Sequence, residues 1–149
     1  MARLPSSVLF ACTFNAIRSP MAEALLRHLH GRRIYVESVG VRSAEIDPFA
    51  VAAMDEIGID LRRHRSKTFD ELEDTSFDLV VSLSPEAQHS AVELTRTMSC
   101  ELEFWPVLDP TAVEGSREET LEAYRRVRDH LRRRILERFP LSPGAGGLG

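Results

Sequence analysis

The sequence predicts one α/β domain: a doubly wound sheet of four parallel strands in the order 2-1-3-4, with helices on both faces. Two observations lead there. Four short stretches rich in β-branched or aromatic residues are each followed by a segment with helix signals, and 149 residues suit a single core. An alternation of strand and helix with right-handed crossovers closes as a parallel sheet.

Each element follows in order. Residues 8–12 are the first strand, and residues 20–30, opened by Pro20 and closed by Gly31, the first helix. Residues 34–38 are the second strand; residues 48–57, from Pro48 to a stop at Gly58, the second helix. The third pair is residues 77–82 and 85–98, and the fourth is residues 102–107 and 116–139. The domain is expected to span residues 1–139. The Pro/Gly-rich segment 140–149 holds too little apolar surface to order itself and is expected to be a flexible tail.

Composition narrows the function. A net charge of -4 and a pI near 5.7 give no bulk attraction to nucleic acid. The arginines of the last helix, Arg125, Arg126, Arg128, Arg132, Arg133, Arg134 and Arg138, read as a solvated face. They lie opposite a buried stripe of Leu121, Tyr124, Val127, Leu131 and Ile135, and complement Glu118, Glu119 and Glu122 along the helix dipole. No segment suits a membrane span or a signal core, and two distant cysteines make no disulfide framework, so a cytoplasmic protein is expected, with no membrane and no nucleic-acid partner.

In this topology a ligand sits beyond the C-terminal ends of the strands where strand order reverses, which is just after the first strand. Residues 12–19, Cys-Thr-Phe-Asn-Ala-Ile-Arg-Ser, fill that place. A short loop entering a helix N-terminus gathers backbone N–H groups and the positive end of a dipole on one point, so Thr13, Phe14, Asn15, Ala16, Ile17, Arg18 and Ser19 form a cradle for a phosphate-like anion. Arg18 adds a planar fork for two anion oxygens. The same field favours the thiolate of Cys12 and makes it a nucleophile.

The stretch VLFACTFNAIRSPMAEALL resembles the phosphate-binding loop of the low-molecular-weight protein tyrosine phosphatases: Cys, five residues, Arg, then Ser or Thr and usually Pro, near the N-terminus. The family also places an Asp-Pro before its last helix, and WPVLDP supplies Asp109 and Pro110 here. The resemblance implies hydrolysis of a phosphorylated protein or small phosphate monoester through a phosphocysteine on Cys12. It makes Arg18 the transition-state ligand, Ser19 a donor to the Cys12 sulfur, Asp109 the general acid, and Asn15 and His64 braces of the loop. No cofactor and no metal are implied. Strands 1 and 4 lie two spacings apart, about 9.6 Å, which the loop carrying Asp109 can bridge.

The pattern departs at four places. Phe14 stands for the family's usual Gly, Ile17 for a frequent second Cys, Leu83 and Ser84 for Met-Asp, and Thr111, Ala112 and Val113 for the aromatic walls of a phosphotyrosine slot. The related arsenate reductases share the loop, but their best-known form uses two further cysteines after strand 3, where residues 82–98 have none; only a version with an external thiol fits. A phosphate- or phosphoprotein-binding module without turnover is a third reading. Glu23 reads as helix surface, His28 and His30 as poor metal ligands because they face different ways, and Cys100 as a packed thiol. The sequence leaves the oligomeric state open.

Overall fold

A computed structural model describes residues 4–73 and 76–141. Four strands, β1 (Ser7–Cys12), β2 (Tyr35–Gly40), β3 (Leu79–Ser82) and β4 (Glu101–Phe104), form one parallel sheet in the order β2-β1-β3-β4. Between and after them run α1 (Arg18–His30), α2 (Pro48–Asp55), α3 (Pro85–Leu94) and α4 (Arg117–Arg138). The expected architecture and strand order are therefore present.

The two faces of β1 divide the core. Val8, Phe10 and Cys12 point to one side, with α1, α2 and α4; Leu9 and Ala11 point to the other, against Ala87 and Ala91 of α3. Strands buried on both faces read as continuous apolar runs, as β1 and β3 do. Tyr124, Val127, Leu131 and Ile135 of α4 are buried as the periodicity predicts, with Leu121 half-buried at the margin. Trp105 is buried between the rings of Phe10 and Phe139.

Element ends differ from expectation for local reasons. Helix α1 begins at Arg18 rather than residue 20, because the Cys12 sulfur accepts the Ser19 N–H at 3.4 Å and so satisfies one free donor of the first turn. Strand β2 runs on to Gly40, paired with Cys12. Strand β4 stops at Phe104, since Pro106 has no N–H for the ladder, although Trp105 N and Val107 N still donate to Ser82 O and Leu83 O. Helix α3 stops at Leu94, where the Thr95 hydroxyl takes the Val92 carbonyl at 2.6 Å. Helix α4 starts behind a reciprocal Ser116–Glu119 cap.

One reading of α4 needs correction. Arg128 is buried rather than solvated: its guanidinium donates to Ala53 O, Glu56 and Asp129, while Arg125 clasps Glu56, Glu118 and Glu122. These two arginines fasten α4 to the end of α2. The tail expected at 140–149 lies outside the described residues from 142 onward. Among the described residues no helix is long and apolar enough to cross a membrane.

Candidate active site

The loop between β1 and α1 is shaped from outside by the chain that follows β2. Val41 N donates to Cys12 O at 3.1 Å, Arg42 N to Thr13 O at 2.8 Å, and Asp47 N to Ala16 O at 3.1 Å; the Ser66 hydroxyl donates to Asn15 O at 2.6 Å. A trans peptide points its N–H opposite its C=O, so carbonyls held from outside turn their N–H groups to the inner, concave side. The N–H groups of residues 14 to 17 donate to no group among the described residues. The loop thus leaves a run of backbone N–H groups unpaired among the described residues.

Asn15 is the hub of this loop. It is fully buried and left-handed, at φ 55°. Its Oδ1 accepts Lys67 N–H at 3.0 Å, which fixes the amide's orientation, and its Nδ2 donates to Ser19 Oγ at 2.8 Å and Ser38 Oγ at 2.9 Å. His64 Nε2 lies 3.0 Å from the same Oδ1 and must be the donor there. Sequence topology alone did not bring His64 here; a crossing from β2 does. Burial lowers the His64 pKa, with Glu23 pulling in the other direction.

Glu23 is a correction. Expected on the helix surface, its side chain is only 13% exposed, accepts the Ser38 hydroxyl, and faces His64 Nδ1 at 3.9 Å. Ser38 and Glu23 join the network because Ser38 sits on β2 beside the loop, a cross-strand neighbourhood that strand order predicts but spacing in the chain does not.

Cys12 lies at the base, 2% exposed, with Sγ 2.9 Å from Ser19 Oγ. Because Asn15 donates to that oxygen, the Ser19 proton is free to point at the sulfur or at Val39 O, 3.2 Å away. Arg18 is buried and stretched: its Nη1 donates to Val107 O at 2.9 Å, which ties the cradle to the Asp109 loop, and its Nη2 reaches Thr13 Oγ1 at 3.5 Å. Thr13 in turn donates to Ser84 at 3.0 Å.

Above them opens a pocket of about 260 Å³ lined by Cys12, Phe14, Ile17, Arg18, Glu45, Asp47 and Asp109 among others. Asp109 does two things at once. Its Oδ1 holds the turn through Thr111 N and Thr111 Oγ1, at 2.9 and 2.7 Å, while Oδ2 carries no hydrogen bond among the described residues. The Phe14 ring leans outward, 45% exposed, with the Arg42 guanidinium 5.2 Å from its centroid, and leaves the sulfur open to the pocket.

Gly40 escaped the sequence reading. A Cβ there would meet Asn15 N at 2.6 Å and Phe14 C at 2.7 Å, so β2 touches the back of the loop only because residue 40 has no side chain. Its φ is unremarkable, and only proximity marks it. Among the described residues His28 and His30 belong to no group of three or more possible metal ligands; His30 is buried, its Nε2 2.6 Å from Phe139 O. Cys100 is half-buried, its thiol pKa raised by burial, and it precedes β4 at the opposite end of the sheet. Glu101 is level with Val8 across the sheet, so Cys100 trails Cys12 by roughly 16 Å along the strands.

The sequence profile of the low molecular weight phosphotyrosine protein phosphatases matches residues 7–139. An arsenate reductase of Halalkalibacterium halodurans is 39% identical over 129 residues, 86% of this chain and 91% of its own. Among solved structures, an arsenate reductase in its oxidized state superposes with a TM-score of 0.72 at 30% identity, covering 89% of this chain and 95% of its own. The low molecular weight protein tyrosine phosphatase of T. tengcongensis superposes at 0.68 with 29% identity, covering 87% and 94%. With the profile, the relatives and the loop in agreement over nearly the whole length, this chain belongs to the low molecular weight phosphotyrosine protein phosphatase family.

Proposed function

We propose that the chain is a cysteine-dependent enzyme for tetrahedral oxyanions and that its complete reaction is hydrolysis of phosphate monoesters. The observation that carries this is the Cys12 sulfur, held by Ser19 at the base of a loop with free N–H groups and the Arg18 fork beside it. The phosphoryl oxygens lie on the N–H groups of residues 14 to 17 and on Arg18, which stabilise the spread negative charge of the transition state. The Cys12 thiolate attacks phosphorus; the P–O bond breaks, its electron pair stays on the leaving oxygen, and Asp109 protonates that oxygen. Water, deprotonated by the same carboxylate, then attacks the phosphocysteine and releases phosphate and the thiolate. The substrate is a phosphorylated protein or small phosphate monoester, and a reducing cytoplasm keeps the thiol ready.

A second reading is arsenate reduction, which the relatives' names favour over hydrolysis. Arsenate is isosteric with phosphate, so the same cradle suits it. Reduction needs a second thiol to attack the Cys12–arsenic adduct, leaving a disulfide and arsenite, and Cys100 at the far end of the sheet cannot reach. The number and placement of thiols therefore support hydrolysis, with reduction requiring an external thiol as co-reactant.

One experiment separates them: para-nitrophenyl phosphate turnover, and arsenite formation from arsenate with a dithiol or glutaredoxin donor, each with wild type and Cys12→Ser. Metal-independent phosphate release lost in Cys12→Ser supports the hydrolase. Arsenite formation without ester hydrolysis reverses the order of the two readings, and undiminished turnover by Cys12→Ser removes both.

A further inference from the structure

A second groove, of about 680 Å³, opens between the Asp109 loop and α4 and shares Asp109 with the pocket over Cys12. Its lining is largely apolar. Val107 and Pro110 from the loop meet Ala123 and Val127 of α4, while Leu108 and Val113 line it yet are 87% and 44% exposed. Apolar side chains left open to water together, rather than singly, mark a surface built to be covered. The charges beside them have one dominant sign. Arg126, His130 and Arg133 lie four and three residues apart along α4 and so share the helix face that borders the groove. Arg133 makes no hydrogen bond or ion pair among the described residues, and Arg126, exposed, reaches only Glu122 at 3.5 Å. Asp129, the carboxylate of this wall, is taken by the Arg128 guanidinium at 2.8 Å, which leaves Asp109 as the acidic group where the groove joins the pocket. Burial first, then Arg133 and Arg134, lower the His130 pKa, with Glu137 opposing, as a positive potential at this wall requires.

We infer that this groove docks the segment of a phosphoprotein substrate that flanks its phosphorylated residue, and that the segment carries an apolar anchor followed by carboxylates. This rests on the hydrolase reading above, with a protein as the substrate. Two observations choose that occupant. The groove meets the catalytic pocket at Asp109, so a chain whose phosphoryl group lies over Cys12 passes into it along the surface. Helix α4 then leads away from the pocket, since Tyr124 bonds Asp47 at the pocket wall, whereas Arg138 near the other end of α4 pairs with Glu103 of β4. From Ala123 to Arg133 the helix covers about 15 Å, which four or five extended residues span. An apolar side chain fits against Val107, Pro110 and Val127, and carboxylates beside and beyond it meet Arg126 and Arg133, the complementarity that steers and selects partners. A small phosphate ester has no part that reaches this far, so the groove discriminates among proteins rather than among phosphorylated groups. Contacts so far from phosphorus are made equally in the ground and transition states, so they lower KM and leave kcat unchanged.

The test measures phosphate release from two phosphotyrosyl peptides and from para-nitrophenyl phosphate by wild type, the Arg126→Glu, Arg133→Glu double variant and Cys12→Ser. One peptide carries Leu and a run of Glu within about five residues of the phosphotyrosine, and the other carries Ser and a run of Lys there; each is made with the segment before and after the phosphorylated residue. Wild type is expected to show a kcat/KM at least about tenfold higher for the acidic peptide in one of the two placements, with the gain in KM. The double variant should lose that preference and keep wild-type turnover of para-nitrophenyl phosphate, because both residues are exposed and surface substitutions seldom disturb a fold. Equal kcat/KM for the two peptides, no turnover of either beside normal turnover of the small ester, or a preference that survives the charge reversal overturns the inference while leaving the hydrolase intact. So does a wild-type dimer that the reversal dissociates in sedimentation velocity, since a second copy would then occupy the groove. Absence of Cys12-dependent hydrolysis of para-nitrophenyl phosphate defeats the hydrolase reading and this inference with it.

Discussion

Replacing Gly40 by alanine tests how tightly the loop is held. The new methyl would lie 2.4 Å from Arg42 O, 2.6 Å from Asn15 N and 2.7 Å from Phe14 C, all backbone atoms that cannot swing aside. Restoring an ordinary 3.4 Å contact with Asn15 N requires a shift of about 0.8 Å in the cradle itself. Misplacement of that order costs roughly 10²-fold in rate, and overpacking costs about 1–3 kcal/mol in stability. Gly40→Ala should therefore lose about 10² in kcat/KM for para-nitrophenyl phosphate, with weaker competitive inhibition by phosphate and a lower urea midpoint. Gly58→Ala is the control: nothing lies within 4 Å of its Cβ, but its φ of 78° should cost about 1 kcal/mol without touching the loop. A Gly40→Ala enzyme within threefold of wild type, still folded, refutes the claim that the back of the loop sets its shape.

Three further outcomes are expected. Asn15→Gly and Asn15→Ala both lose the buried amide's bonds, but glycine tolerates φ 55°, so the alanine variant should be less stable by about 1 kcal/mol in urea unfolding; equal stabilities would discount backbone strain at residue 15. Asp109→Asn should slow the single-turnover release of phenol from phenyl phosphate at least about tenfold more than release of nitrophenol, because only the poor leaving group needs the proton; equal losses would leave Asp109 as a turn residue. Glu56, hydrogen-bonded by Arg125 and Arg128, has its pKa lowered from 4.5 to about 2. A lowered folded pKa stabilises above the unfolded value and is lost as pH falls from 4.5 toward 2, so wild type should lose more stability over that range than Glu56→Gln. Screening of this half-exposed cluster limits the difference to about 1 kcal/mol, and parallel pH profiles would count against it.

The strands and the helix starts were legible because they rest on local signals, apolar runs and Pro20, Pro48 and Pro85, and the strand order followed from the alternation of strand and helix. Glu23 was misread for the opposite reason. On a helix taken alone it looks solvated, and only the lateral placement of β2, with Ser38 against Asn15, buries it. Gly40 ends β2, and Glu45, Asp47 and His64 come from the return after it, so their placement depends on a register of neighbouring strands that chain spacing does not carry. Arg128 shows the same limit, since its partner Glu56 lies 72 residues away.

The four-way use of Asn15 has a thermodynamic consequence. The hub ties together Ser19, Ser38, His64 and Lys67 through protein groups alone, so anion binding is expected to require no disorder-to-order step of the loop. Calorimetry of phosphate or vanadate binding should then give a small heat-capacity change, since little apolar surface is removed from water. Stopped-flow traces should be single exponentials whose rates rise linearly with anion concentration, without the plateau that a slow isomerisation imposes.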